Sequence, residues 1–415
     1  MKALIRQTLI LALIALGPCD AHEALAHTSN AASAGNHSSN RGALKSVEQS
    51  SSSEQAKPLP APARWRGLIG EYGLDKDILY ILEKDGRLCA SFKRAELEPL
   101  EEVSRDIFRF PALGSHAGQR LVFTRDAKGR AKQVAAANAV YKRRQVGPEE
   151  GANQLRVKPL RPVPELLKEA RTAEPPKENG EFRAPNLVEL TKLDPTIKLE
   201  IRYATTNNLF GTVFYSEARA FMQRPAAEAL VRVNHKLRRM GYGLLVHDAY
   251  RPWYVTKVFW DATPDDKKLF VADPSKGSRH NRGCAVDLTL YDLKTRKPVE
   301  MVSTYDETTD RAYPDYPGGT SLQRWHRNLL RTAMESEGFT VYEAEWWHFD
   351  YKDWQKYPIG NQPFERIGIS RKYSRLYVGR GQSERSVYYL NERSLFAEDD
   401  AFGLGHSEIL KRFGI

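Results

Sequence analysis

Two short segments concentrate the side chains that could do chemistry. One is Ser278-Arg279-His280-Asn281-Arg282-Gly283-Cys284-Ala285-Val286-Asp287, and the other is Glu345-Trp346-Trp347-His348. Together they hold two histidines, an aspartate able to ligate a metal, and one spare glutamate. A catalytic zinc takes three protein ligands of these types and keeps a fourth position open for water. It also needs a carboxylate nearby to accept a proton from that water. The two segments offer such a set without surplus. Asp287 stands between Val286 and Leu288, where an unpaired carboxylate would be expensive. Glu345 and His348 are flanked by Trp346, Trp347 and Phe349, which read as core or as a substrate wall. A histidine ligand with a glutamate three residues earlier lets the imidazole bind zinc while the carboxylate contacts its water.

For these groups to meet, the first segment must run from a turn through Gly283 into a strand. Cys284 is also a possible zinc ligand. It precedes Asp287 by three residues, which on an alternating strand sets the two side chains on opposite faces. We read it as a small buried filler.

The surrounding pattern supplies such elements. Ile197, Leu199, Ile201 and Tyr203 alternate with polar residues and read as a strand. Arg224-Pro225 opens a helix whose inner face is Ala226, Leu230, Val233 and Leu237, with Gly241 ending it. Leu244-Leu245-Val246 reads as a buried strand leading to Tyr250-Arg251-Pro252, and Pro252 starts a helix through about Asp261. Cys284 to Leu290 is another strand. Ser321 to about Glu337 is an amphipathic helix with Leu322, Trp325, Leu329 and Ala333 inward, closed by Gly338 before a strand at Thr340 to Tyr342. Strands and helices mix without regular alternation. The fold class expected is therefore α+β, a catalytic domain with a central antiparallel sheet flanked by helices.

Upstream, Ile78-Leu79-Tyr80-Ile81-Leu82, then Asp85-Gly86, then Leu88 to Phe92 predict a hairpin. Leu121-Val122-Phe123 begins a second one. Residues 65–146 are thus expected to form a small all-β domain, a structural or binding module free of catalytic clusters. We expect the downstream domain to stay soluble and active without it. Residues 147–184, rich in prolines and charges, read as a linker with one helix near Pro164 to Ala173.

The stretch from about Asn186 to Glu365, within a domain expected over 185–366, resembles the D-alanyl-D-alanine dipeptidase family of zinc peptidases. The resemblance rests on Ser278, His280, Gly283, Ala285 and Asp287 in a Ser-x-His-x-x-Gly-x-Ala-x-Asp pattern, and on Glu345 and His348 in Glu-x-x-His. Tyr250-Arg251-Pro252 and the Arg202 to Asn208 stretch match as well. It implies one zinc per chain on His280, Asp287 and His348, with Glu345 as general base. Arg251 becomes the stabiliser of the developing oxyanion. Asp306 would hold the substrate's ammonium group, and Ser278 would lie beside the ligand. On its residues alone, Asp306 could equally cap a turn beside Thr308 and Thr309. The implied substrate is a small D-amino-acid dipeptide. The alternatives are a D,D-carboxypeptidase acting on peptidoglycan stem peptides and a catalytically silent cell-wall-binding protein. The retained catalytic set argues against the second.

The termini and composition set the context. Lys2 and Arg6, the apolar run Leu9 to Gly17 and Ala24-Leu25-Ala26 predict a signal peptide over 1–26, too short to span a membrane. Lipidation at Cys19 is the alternative, disfavoured by Pro18. The expected location is across the inner membrane, periplasmic or extracellular. Residues 27–64 are poor in large apolar side chains and read as a disordered linker. Residues 367–415 remain unassigned. The three cysteines, Cys19, Cys89 and Cys284, make no disulfide framework. A net charge of +11 suits an anionic cell-envelope surface. Nucleic acid is not expected as a partner, since no basic run carries interleaved aromatics. No transmembrane helix is expected in the mature chain.

Overall fold

The computed structural model describes residues 56–136, 138–147 and 157–368. The expected leader, most of the linker after it and the extension beyond residue 368 lie outside the described residues. Among the described residues no helix is long and apolar enough to cross a membrane.

After a single helical turn, α1 (Ala63–Arg66), the chain forms nine short strands. Strands β1 (Gly70–Leu74), β2 (Asp77–Lys84), β3 (Arg87–Phe92) and β4 (Glu98–Pro99) make one antiparallel sheet in that order. Strands β5 (Glu101–Ser104), β6 (Ile107–Arg109), β7 (Arg120–Arg125), β8 (Ala131–Ala136) and β9 (Ala139–Lys142) make a second antiparallel sheet, also in sequence order. An isolated bridge between Tyr72 and Arg143 joins the two. The predicted Asp-Gly turn is present: Asp85 and Gly86 both take positive φ, 51° and 75°, as a two-residue hairpin loop requires.

Strand β2 is buried on both faces, and this decides how the β region relates to the rest. Leu79 and Ile81 point into the region's own core with Trp65, Tyr72, Phe108, Phe110 and Leu121. Tyr80 and Leu82, on the alternate positions, join Cys89 in the large core of the downstream domain. The expectation of a self-sufficient β module therefore meets a shared core. Tyr80 also meets the Tyr316 ring of the downstream part edge-on, with ring centroids 6.3 Å apart. The proline-rich stretch is also part of the fold. Helix α2 (Val163–Ala170) buries Val163, Leu166 and Ala170 in the same core, together with Val157.

The downstream domain is built on a five-stranded sheet of order β11-β13-β14-β16-β15. Its strands are β11 (Lys198–Leu199), β13 (Tyr242–Asp248), β14 (Ala285–Asp292), β15 (Phe339–Tyr342) and β16 (Glu345–Tyr351). All neighbours are antiparallel except β11 and β13, which run parallel. The α+β class holds, and the sheet is mixed at one edge. A small ribbon of β10 (Leu187–Glu189) with β12 (Phe221–Gln223) flanks it, followed in turn by α3 (Leu190–Leu193) and α4 (Arg224–Arg239). Helix α4 buries Ala226, Leu230, Val233 and Leu237, the face its period predicts. Helix α5 (Trp253–Ala262) follows Pro252, and α6 (Ser321–Glu335) starts at a capping box of Thr320 and Gln323.

Two elements differ from expectation. The strand expected through Tyr203 ends at Leu199, and Arg202–Ala204 form a 3-10 turn. The Tyr203 carbonyl accepts from the Phe214 and Tyr215 N–H groups, and its ring packs on Phe214, Tyr215 and Phe259, so a local aromatic cluster replaces a sheet ladder. Helix α6 is rotated from the predicted face. Its buried residues include His326, Arg327, Leu330, Ala333 and Met334, while Leu322, Trp325 and Leu329 are half-buried. Each of the polar pair has a partner distant in sequence, His326 in Tyr242 Oη at 3.2 Å and Arg327 Nη1 in the Tyr316 carbonyl at 2.8 Å.

Candidate active site

Strands β14 and β16 pair so that Asp287 lies directly opposite His348. Cross-strand partners share a face, so their side chains meet without any loop rearrangement. His280 arrives from a 3-10 turn, Arg279–Arg282, immediately before β14. Gly283 ends that turn with φ 69°, and a Cβ there would sit 2.6 Å from Leu187 Cδ2. Both the backbone angle and the close packing therefore favour glycine at the step from turn to strand. Asn281 fixes the turn from inside, its Nδ2 donating to the Arg251 carbonyl and to Thr256 Oγ1, both at 2.8 Å.

Glu345 and His348 are an odd number apart on one strand, so regular pleating would turn them to opposite faces. An irregular step resolves this: Val341 pairs with Phe349, but the next residue, Tyr342, pairs with Glu345. The extra residues in β16 re-aim the strand as a bulge does. The Glu345 carboxylate then comes within 3.9 Å of His348 Nδ1.

The donor atoms of His280, Asp287 and His348 converge. His280 Nε2 is 3.2 Å from His348 Nδ1 and 3.4 Å from Asp287 Oδ1, and His348 Nδ1 is 2.9 Å from the same oxygen. Ligands of a tetrahedral zinc, bound at roughly 2.0–2.2 Å, stand roughly 3.3 Å from one another. The spacing fits such an ion. So do the tautomers. His280 Nδ1 donates to the Ala249 carbonyl at 2.7 Å, which leaves Nε2 with its lone pair. His348 Nε2 donates to Asp350 Oδ1 at 3.1 Å, which frees Nδ1. Asp350 is steadied by Arg279 Nη1 at 2.8 Å. Asp287 uses its other oxygen, Oδ2, to accept from Tyr305 Oη at 3.0 Å. Outer partners of this kind fix ligand orientation.

The charges answer to these contacts. Burial pushes the Asp287 carboxyl up, and His280 and His348 more than reverse it, leaving it well below the usual carboxylate range. Burial lowers His348, but Asp287 and Asp350 outweigh that and raise it to about 10. Burial raises Glu345 above the ordinary range while His348 opposes the rise. Cys284, buried in the core, is pushed up to about 12 mainly by burial and takes no part in the cluster.

A cavity of about 470 Å³ opens on this cluster. Ser278, Arg251, Asp306 and Glu345 line it beside His280, Asp287 and His348, with Tyr203, Phe210 and Phe259 as an apolar flank. Arg251 is held rigidly: Nε and Nη2 donate to Asp248 Oδ2 at 3.0 and 2.7 Å, and the guanidinium lies over the Phe259 ring at 4.9 Å. Ser278 caps the His280 turn, its Oγ accepting from the His280 N–H at 3.3 Å. Asp306 adopts φ 60°, and its Oδ2 is buried with no hydrogen-bond partner. Burial, together with Asp287 and Glu345, pushes its carboxyl up to about 8. All seven residues singled out in the sequence thus border one cavity.

Residues 183–367 match peptidase family M15, described as D-ala-D-ala dipeptidase. The chain is 33% identical over 173 residues to the D-alanyl-D-alanine dipeptidase of Escherichia coli strain K12, a match covering 42% of this chain and 88% of that protein. It is 33% identical over 180 residues to the enzyme of the same name from Enterococcus faecium, covering 39% and 89%. With the Streptomyces coelicolor enzyme of that name the identity is 30% over 175 residues, covering 38% and 87%. The chain belongs to this family. It is a metallo-dipeptidase, and the matched residues are those that build the five-stranded sheet and the cavity, without the β region upstream.

Sequence reasoning passed over three residues of the site. Asp350 follows His348 by two, the spacing that puts both on one strand face. Asp248 precedes Arg251 by three, an ion-pair spacing. Tyr305 sits beside Asp306, and nothing in the sequence marks it as a partner of Asp287.

Proposed function

We propose that this enzyme hydrolyses D-alanyl-D-alanine to two D-alanines with one zinc ion per chain, held by His280, Asp287 and His348. When bound, zinc polarises a carbonyl and brings the pKa of water to about 7. Glu345 would accept the proton of the attacking water and hand it to the departing amine. Its enclosure, which raises its pKa, makes it a stronger base near neutrality than an exposed carboxylate. Arg251 presents a fixed positive charge to the oxygen on which negative charge develops. The Asp248 brace means that charge needs no reorganisation. Asp306 receives the substrate ammonium group, and Ser278 borders the bound dipeptide while holding the His280 turn.

The observation that carries this reading is the unpartnered Oδ2 of Asp306 in the same cavity as the ligand cluster. A buried acceptor without a donor is costly in the empty enzyme and is satisfied by a charged donor on arrival. A free dipeptide supplies that donor, and the penultimate residue of a longer stem peptide does not. The reading extends to compartment and role. A leader over residues 1–26 would deliver the enzyme to a periplasmic or extracellular site, where it would act in turnover of cell-wall peptides near an anionic envelope. In the same reading the chain divides into 65–146, 147–184 and 185–366, with the last carrying catalysis.

The test compares kcat/KM for free and N-acetylated D-alanyl-D-alanine, with and without a chelator. The expected outcome is strong preference for the free amine and loss of all turnover on chelation, restored by zinc. Equal rates on both substrates would favour the D,D-carboxypeptidase alternative, and turnover that survives metal removal would remove the zinc assignment.

A further inference from the structure

The segment from Val302 to Ser321 carries Tyr305 and Asp306 and is gripped from two sides. On the catalytic side, Trp346 Nε1 donates to Ser303 Oγ at 2.8 Å and the Trp347 ring meets the Tyr305 ring at 5.6 Å. On the other side Arg324 and Arg327 of α6 hold the carbonyls of Tyr316 to Gly319, and the remaining grips come from the β region. Tyr316 Oη donates to the buried Glu71 Oε1 at 2.8 Å. The Glu83 N–H donates to the Gly319 carbonyl at 3.1 Å, and Glu83 Oε2 accepts from the Ser321 N–H at 2.7 Å. Arg324 Nη2 donates to the Glu83 carbonyl at 2.7 Å, and Arg94 Nη2 meets Asp310 Oδ2 at 3.3 Å. Within the segment, Arg311 folds its first half back onto Val302. Its Nε and Nη2 donate to the Val302 carbonyl at 3.2 and 2.9 Å.

Such bracing answers a physical need. Asp306 has a left-handed backbone at φ 60° and a buried oxygen without a partner. A conformation with both costs persists only where the surroundings over-determine it. Left to itself, the segment would relax and turn the carboxylate to water. The peptidase core holds one end through Ser303, whereas the stretch from Asp310 to Ser321 is anchored by Glu71, Glu83 and Arg94 together with Arg324 and Arg327 of α6.

We propose that the β region is a positioning element of the substrate site: through Glu71, Glu83 and Arg94 it holds the 302–321 segment so that Asp306 stays aimed into the cavity. This gives the β region a part in catalysis rather than a separate binding role, and it rests on the reading that Asp306 takes the substrate ammonium.

The experiment uses the full chain with Tyr316→Phe, Arg94→Ala and, as reference, Asp306→Asn. Steady-state constants are measured on free and N-acetylated dipeptide, alongside zinc content and melting temperature. Tyr316→Phe should raise KM for the free dipeptide by about threefold to tenfold, with kcat and zinc content little changed, since one buried hydrogen bond is lost. The preference for free over acetylated substrate should fall with it. Arg94→Ala removes a half-exposed pair, leaves the fold intact and should act the same way by about twofold. A lower melting temperature with the substrate preference untouched in both variants would mean that the contacts only support the fold, and would overturn the proposal. If Asp306→Asn itself leaves the preference unchanged, the ammonium reading fails first. If Asp306→Asn abolishes the preference and neither β-region variant moves it, the proposal alone is lost.

Discussion

Asp287 and Asp306 are two aspartates on the wall of one cavity, and their surroundings are opposite. Both oxygens of Asp287 have partners, Oδ1 facing the two histidines and Oδ2 accepting from Tyr305. Oδ2 of Asp306 has none. The first carboxyl is held well below the usual range and the second is raised to about 8. A carboxylate that is already satisfied can wait for a cation without straining the fold. One that is not satisfied stores a deficit that only an incoming donor removes. The difference separates a site assembled in advance from one completed by its ligand.

The sharpest way to break the contrast is to take the ligand cluster apart. His348→Ala removes a donor atom from the cluster and should abolish both zinc binding and turnover. Glu345→Gln removes no donor of the cluster. It should keep near-stoichiometric zinc and lose about 10²–10⁴-fold in kcat, the usual cost of removing a general base. Metal content after gel filtration, read beside kcat, separates the two. Equal zinc loss in both variants would make Glu345 a ligand and leave the reaction without its base.

A milder test takes away only the outer partner of Asp287. Tyr305→Phe keeps the ring contacts with Trp347 and His247 but deletes the hydroxyl that holds Oδ2. Zinc affinity, measured by chelator competition, should fall by roughly 10-fold, at the low end for outer-shell partners. Saturating zinc should restore kcat. Unchanged affinity would mean that the two histidines alone fix the carboxylate.

Much of this arrangement was legible in the residues, and the parts that were not have physical reasons. Helix α4 and strand β14 follow from period and punctuation, because their faces are apolar in the ordinary way. The His280 turn could be read because Gly283 marks its end. The face of α6 could not, because His326 and Arg327 are buried through partners distant in sequence, the Tyr242 hydroxyl and the Tyr316 carbonyl. Glu345 and His348 share a face only because of an irregular pairing that no spacing rule supplies. The shared core did leave a trace. Ile78 to Leu82 is an unbroken apolar run, which a half-exposed hairpin does not need and a strand buried on both faces does. Reading it as a freestanding hairpin hid the core that the β region shares with the peptidase. Deletion of residues 27–180 is accordingly expected to yield insoluble protein.

The smallest expected effect is thermodynamic and concerns Asp306 alone. In the zinc-free enzyme its folded carboxyl has a pKa of about 8, raised chiefly by burial, against roughly 3.9 in an unfolded chain. Between those values the unfolded chain has released a proton that the folded chain retains. Stability contributed by this group therefore falls as pH rises through that window, and is level below and above it. Asparagine does not titrate, so Asp306→Asn escapes the penalty. The variant should melt a few degrees above the parent at pH 8 and close to it at pH 4, a modest shift for a domain of this size. It should also lose the preference for a free amine, so that the same change stabilises the fold and impairs the site. Scanning calorimetry of the two zinc-free proteins across pH decides the matter. A difference that does not change between the two pH values would mean that Asp306 binds its proton alike in the folded and unfolded chains, and the contrast with Asp287 in cost of burial would be lost.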